Sequence, residues 1–140
     1  MNTHKIIQIG IIGFMSILFI SFAWASSPGR TLVLESTPSH PDANGTAFID
    51  ETHVSIQARG LKPNAVYTVW FVNMKPKKKA VGAGEAPYMF QTDQWGDGSY
   101  SGPVYATPFG KWAMVMVVQH PNGDPMDMEN MVGALKAPLS

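Results

Sequence analysis

The sequence predicts an all-β fold, and three observations support this. Apolar and polar residues alternate along residues 52–59, which is the period of a strand with one buried face and one wet face. Residues 66–72 and 112–118 are apolar on both faces, which is typical of central strands. Shorter runs of the same character complete a set of candidate strands: 31–37, 52–59, 66–72, 88–92, 99–106, 112–118 and 131–139. Seven short strands in about 110 residues predict an antiparallel β-sandwich of immunoglobulin-like type.

Turn-forming residues separate these candidate strands. Residues 60–64 read Gly-Leu-Lys-Pro-Asn and predict a tight connection. Residues 93–98 place Asp and Gly as a hairpin turn does. Residues 120–125 contain two prolines, which a central strand excludes. Residues 127–136 admit one or two helical turns at most, and no other part of the sequence after residue 25 shows a helical apolar stripe.

Residues 1–25 are predicted to be a cleavable signal peptide. Lys5 supplies a basic start, and residues 6–22 form a long apolar run. Ala23 and Ala25 place small residues where signal peptidase reads them, so cleavage is expected after Ala25. The alternative is an uncleaved membrane anchor, because a spanning helix needs about 20 apolar residues.

Cleavage would leave residues 26–140 as a single exported domain without a transmembrane span. Such a domain would be periplasmic or extracellular. It contains no cysteine, so burial alone must stabilise it, and thiolate metal sites and cysteine nucleophiles are excluded. Nine basic residues stand against ten acidic ones in this part, which argues against a nucleic-acid partner.

The same part of the chain resembles a group of small exported bacterial β-sandwich proteins with an immunoglobulin-like fold. The resemblance covers roughly residues 60–139 and rests on five elements in this order: Gly-Leu-x-Pro, Tyr-Thr-Val-Trp-Phe-Val-Asn, a glycine-rich loop, Thr-Asp-x-x-Gly-x-Gly-Ser-Tyr and His-Pro-Asn-Gly-Asp-Pro. No activity is assigned to that group, so the resemblance implies the fold and no chemistry.

A cluster of soft ligands raises the possibility of a copper site. His120 is followed at short spacing by Met126, Met128 and Met131, and thioether and imidazole groups together can hold cuprous copper. The alternative is that these methionines fill gaps in the core. The acids of residues 93–97 also suggest calcium, but a hairpin turn in which Asp bonds its own backbone explains them more simply.

Two features are candidate binding surfaces for a partner. Lys77, Lys78 and Lys79 belong to the densest charge run, which would contact an anionic surface such as phospholipid headgroups, or another subunit. The alternative is a solvated loop that repulsion between like charges keeps extended. Trp95 is predicted at a hairpin tip, where it would serve as a binding anchor or fold back over the sandwich. Trp70 and Trp112, in contrast, fall in the most apolar strands and are predicted to build the core.

No motif predicts catalysis. Residues 98–102 read Gly-Ser-Tyr-Ser-Gly, which places tyrosine where a nucleophile-elbow serine would stand. We therefore expect no catalytic residue and no cofactor. The predicted function is a non-enzymatic binding or assembly module at the cell envelope, with a periplasmic copper-binding protein as the alternative.

Overall fold

Nine antiparallel strands and no helix make up residues 29–140, which are the residues that the computed structural model describes. The strands are β1 Arg30–Ser36, β2 Asn44–Ile49, β3 His53–Arg59, β4 Val66–Asn73, β5 Lys79–Gly82, β6 Met89–Gln91, β7 Gly98–Pro103, β8 Met114–His120 and β9 Val132–Pro138. The all-β prediction is confirmed, and each of the seven predicted strands overlaps an observed one. The predicted signal peptide, residues 1–25, lies outside the described residues. Within residues 29–140, no helix has the length and apolar character needed to cross a membrane.

The strands form one curled sheet in the order β5-β4-β8-β9-β1-β2-β3-β7. β6 pairs with β4 on the same edge as β5, so β5 and β6 follow one another along successive halves of β4. β1 connects the two halves of the sheet. Its first part pairs with β2, and Glu35 and Ser36 pair with β9.

The curl encloses a single hydrophobic core. Its largest fully buried aliphatic residues come from six strands: Leu34, Ile49, Val54, Ile56, Val69, Val115, Val117 and Leu135. Along β3, Val54, Ile56 and Ala58 are buried while alternate residues face outward, as the period of two predicts.

Trp70 and Trp112, which are predicted from the sequence to build the core, are both only half-buried. The odd-numbered residues of β4 enter the core, so Tyr67 and Phe71 are its buried aromatic side chains. Trp70 therefore lies on the outer face, half-buried, with its ring centroid 5.4 Å from that of Tyr88. Trp112 precedes β8 and packs, half-buried, against the margin of the core. Moreover, β4 and β8 are paired neighbours in the sheet and do not face one another.

Two strands, β2 and β5, were not predicted from the sequence. β2 presents Gly45 and Ala47 inward, and its one large aromatic residue, Phe48, is 41% exposed. A β-carbon on Gly45 would lie 2.5 Å from the Gln57 carbonyl oxygen, so the small residue permits close strand approach. β5 begins inside the lysine run, which reads as a loop in the sequence.

The antiparallel pairings place the connections at two opposite ends of the sheet, except for residues 83–88, which connect β5 to β6 beside the middle of β4. The first end carries residues 50–52, 74–78 and 104–113. The second end carries residues 37–43, 60–65, 92–97 and 121–131. We call the first the lysine end and the second the acidic end, for the charges described next.

Candidate functional site

The charged side chains are segregated along the strand direction. At the lysine end stand six basic residues, Arg30, Lys75, Lys77, Lys78, Lys79 and Lys111, with two acids, Asp50 and Glu51. The opposite end has the reverse composition: Asp42, Asp93, Asp97, Asp124, Asp127 and Glu129, with two basic residues, Arg59 and Lys62. The chain is almost neutral overall, but its two ends carry opposite net charge. This arrangement favours oriented contact with charged partners.

The two long loops of the lysine end are tied together through Asn73. Its side-chain amide donates to the carbonyl oxygen of Lys111 at 3.1 Å, and the backbone N–H of Ala113 donates to its Oδ1 at 2.7 Å. Neither residues 74–78 nor residues 104–113 contain an acidic side chain. The basic residues of these loops are therefore not neutralised from within the loops.

Exposed apolar side chains accompany these charges. Met74 is 52% exposed, and Tyr105 is 79% exposed. Tyrosine beside lysine is a combination suited to a lipid–water interface, where the ring has one apolar and one polar side. Lys77, Lys78 and Lys79 are visible in the sequence as a charge run, whereas Met74 and Tyr105 belong to no apolar pattern and were not predicted.

Trp95 lies at the other end of the molecule, so the two predicted binding features do not form one site. The turn that carries it connects β6 and β7 and is held by backbone hydrogen bonds from Gly96 N–H to the Asp93 carbonyl and from Asp93 N–H to the Asp97 carbonyl. The Asp93 carboxylate accepts the Trp95 N–H at 2.9 Å, which is the side-chain-to-backbone bond expected of Asp in a turn.

This turn is also anchored to the neighbouring loop, residues 60–65. Leu61 N–H donates to the Gly96 carbonyl at 3.1 Å, and Asn64 N–H donates to the Asp93 carbonyl at 3.0 Å. Trp95 itself remains 72% exposed. Of the two alternatives predicted for Trp95, the structure shows the exposed one. The side chain projects into solvent from a fixed turn and does not fold back over the core.

A groove of about 1310 Å³ runs across the outer face of β1, β2, β3 and β7 and reaches β6. One lateral row of paired residues crosses it: Val33, Thr46, Gln57 and Ser99. Asp93 and Asp97, which flank the Trp95 turn, line the groove as well. This groove was not predicted, because lateral neighbours on a sheet are distant in sequence.

His120, the proposed copper ligand, is buried and has both ring nitrogens in hydrogen-bond contact. Nε2 lies 2.7 Å from Thr68 Oγ1, and Nδ1 lies 3.1 Å from the Asp127 carbonyl oxygen. Thr68 Oγ1 also accepts the indole N–H of Trp70 at 2.7 Å. The simplest assignment is that Nδ1–H donates to Asp127 and the threonine hydroxyl donates to Nε2. This network connects residues 121–131 to the outer face of β4.

The methionines of the copper hypothesis lie on that connection. Met126 is 71% exposed and Met128 is 48% exposed, while Met131 is half-buried just before β9. Copper binding would require His120 to give up one of its two hydrogen bonds. Within residues 29–140 no group of three His, Cys, Asp or Glu side chains is arranged to hold a metal ion. The copper hypothesis stays a prediction.

Asp127 organises this connection. Its carboxylate accepts the backbone N–H of Glu129 and side-chain N–H groups of Asn130 and Asn122. These hydrogen bonds, led by that from the Asn130 amide, hold the pKa of Asp127 below its ordinary value because they stabilise the charged form.

A second buried histidine, His40, lies under the loops of the acidic end. It is 4% exposed, its Nε2 lies 3.0 Å from the Tyr67 hydroxyl, and its Nδ1 has no hydrogen-bond partner among the described residues. The Tyr67 hydroxyl accepts the backbone N–H of Lys62 at 3.0 Å. Burial lowers the pKa of His40, and the nearby Lys62 charge lowers it further, while a contact with Gln119 acts in the opposite direction.

This lowered pKa predicts a loss of stability in mild acid. As pH falls below about 6.5, the unfolded chain protonates His40 while the folded protein does not, so the free energy of unfolding decreases. The loss ends once pH falls below the folded-state pKa. Urea denaturation at several pH values should show this decrease in the native protein and a shallower one in His40→Gln. An unchanged pH dependence in the variant would contradict the assignment.

One serine hydroxyl lies within hydrogen-bond distance of a histidine ring nitrogen, as a catalytic nucleophile and its base do. Ser101 Oγ lies 3.0 Å from His53 Nε2, on the exposed outer face. A hydrolytic triad also needs a group that orients the second ring nitrogen. Among the described residues, none donates to or accepts from His53 Nδ1 in a hydrogen bond. The contact joins two neighbouring strands, β3 and β7.

Comparison with known proteins supplies no relative from which a function could be inferred. The chain matches no protein-family model, no curated protein sequence and no solved structure at a significant level. Function must therefore be inferred from the surfaces described above.

Proposed function

We propose that this protein is an exported, non-enzymatic module of immunoglobulin-like sandwich architecture that binds at the cell envelope through its lysine end. The observation that carries the proposal is the segregation of charge. Four lysines in five positions, residues 75–79, share one end of the sheet with Lys111. The acids that balance them are concentrated at the far end.

The chemistry of this end fits anionic phospholipid headgroups. A cluster of basic residues is attracted to an anionic leaflet by about 1 kcal/mol per residue close to the surface. Met74 and Tyr105 add exposed apolar surface beside the charges, which strengthens interfacial binding. The predicted signal peptide would deliver the chain to the compartment where such surfaces are available.

Vesicle co-sedimentation tests the proposal. We expect the protein to bind vesicles that contain phosphatidylglycerol and not vesicles of phosphatidylcholine alone, with affinity that decreases as salt is added. Replacing Lys77, Lys78 and Lys79 together by glutamine should weaken binding on the order of a hundredfold at low ionic strength.

A second triple variant supplies the matched control. Arg59, Lys62 and Lys136 are exposed and lie away from the lysine end, so replacing all three by glutamine removes the same net charge. This variant should keep most of the vesicle affinity. Equal losses in the two triple variants would mean that net charge alone governs binding. That result, or no binding to anionic vesicles, would overturn the proposal.

A further inference from the structure

The groove across β1, β2, β3 and β7 has the chemistry of a site for a hydroxyl-rich ligand. Thr46 and Ser99 contribute hydroxyl groups, and Gln57 contributes an amide. Arg59 adds donors, and the nearby aspartates add acceptors. A sugar hydroxyl both donates and accepts, so a surface of mixed donors and acceptors suits it better than a surface of one type.

Trp95 lies on a turn whose flanking residues line this groove, although it does not itself line it. Asp93 and Asp97 both line the groove, and Trp95 lies between them on the turn. Its side chain is 72% exposed although four backbone hydrogen bonds fix the turn and its contact with residues 60–65. An exposed indole on a turn whose backbone is already fixed is a suitable platform for stacking, because little backbone entropy is lost on binding.

We propose that the groove binds a neutral oligosaccharide, with one sugar ring stacked on Trp95 and others lying across the row from Ser99 to Val33. Strands in a sheet are about 4.8 Å apart, so four strands provide a lateral span of about 14 Å. That length suits several linked sugars rather than one. The presence of both Arg59 and two aspartates favours a ligand without strong net charge.

A peptide fits these observations less well. Peptides that add to a sheet pair along an open strand edge. β7 is such an edge, but only Gly98 and Ser99 of its six residues line the groove, which lies mainly across the faces of the paired strands. Peptide anchors also need apolar pockets. The large apolar side chains of the groove are Val33, Met89 and Phe90, and Phe90 is already buried in the core. The site is at the acidic end, so this proposal is independent of vesicle binding by the lysine end.

Isothermal titration with three probes tests it: cellohexaose, chitohexaose and maltohexaose. We expect at least one to bind and Trp95→Ala to weaken that binding at least about tenfold. Tyr105→Ala is the matched control, because Tyr105 is an equally exposed aromatic residue, 79% against 72%, at the other end of the molecule. It should leave the affinity unchanged. Gln57→Ala should also weaken binding, which distinguishes a groove ligand from simple stacking on an indole.

Thermal melting of each variant confirms that it is folded, as expected for exposed side chains. The proposal is overturned if none of the three hexasaccharides binds at millimolar concentration. It is equally overturned if Trp95→Ala and Tyr105→Ala reduce binding to the same extent.

Discussion

Replacing Leu135 by alanine is expected to lower the free energy of unfolding by about 2–5 kcal/mol. Leu135 is fully buried in β9 and pairs with Val117, another fully buried residue of the core. Truncation removes buried methyl groups and leaves a cavity that neighbouring strands fill only in part. Because total stability is typically about 5–15 kcal/mol, this single change should remove a large part of it.

Lys136 provides the control for this prediction. It is the next residue of β9 and is exposed, so Lys136→Ala should change stability by less than about 0.5 kcal/mol. The comparison tests the register of β9, where a bulge between Val117 and Val118 shifts the pairing. Denaturant melts that reversed the order of the two variants would show that the register is displaced by one residue.

Replacing Gly96 by alanine is expected to cost about 2–4 kcal/mol. Gly96 has φ of +81°, and an added β-carbon would lie 2.1 Å from the Leu61 carbonyl oxygen. The substitution therefore combines a left-handed backbone with a clash against backbone atoms. It should also disrupt the Leu61 N–H to Gly96 carbonyl hydrogen bond that anchors the Trp95 turn.

The substitution Gly123→Ala separates the cost of the left-handed backbone from the cost of the clash. Its φ is +79°, but an added β-carbon would meet no atom within 4 Å. Gly123→Ala should therefore cost only the left-handed backbone penalty of about 1–2 kcal/mol. If thermal melts show equal losses for Gly96→Ala and Gly123→Ala, packing against Leu61 does not hold the Trp95 turn in place.

The strands in which apolar and polar residues alternate, or in which nearly all residues are apolar, were predictable from the sequence. β3 shows the period of two, and β4 shows the composition of a strand with both faces largely covered. β2 was missed because its inward positions include Gly45 and Ala47, whose burial leaves little hydrophobic signal. Trp70 was placed in the core because apolar character does not reveal which face of β4 is inside; the pairing with β8 and the outer packing of Tyr88 decide that.

The candidate sites were predictable only where they are local in sequence. The lysine run and the hairpin tryptophan are visible as short motifs. The groove is not, because Val33, Thr46, Gln57 and Ser99 become neighbours only through three strand pairings. Charge segregation was not predictable from the sequence either, because the chain is almost neutral overall. The basic and acidic loops lie at opposite ends only because the strands pair in antiparallel fashion.

The most direct test of contact through the lysine end is an NMR titration of the ¹⁵N-labelled protein with phosphatidylglycerol-containing bicelles. We expect chemical-shift changes or broadening to be confined to residues 74–81 and 104–112. The amide and indole signals of Trp95, at the acidic end, should not change. Perturbations centred on the acidic end, or none at any residue, would contradict the proposal that the lysine end binds the envelope surface.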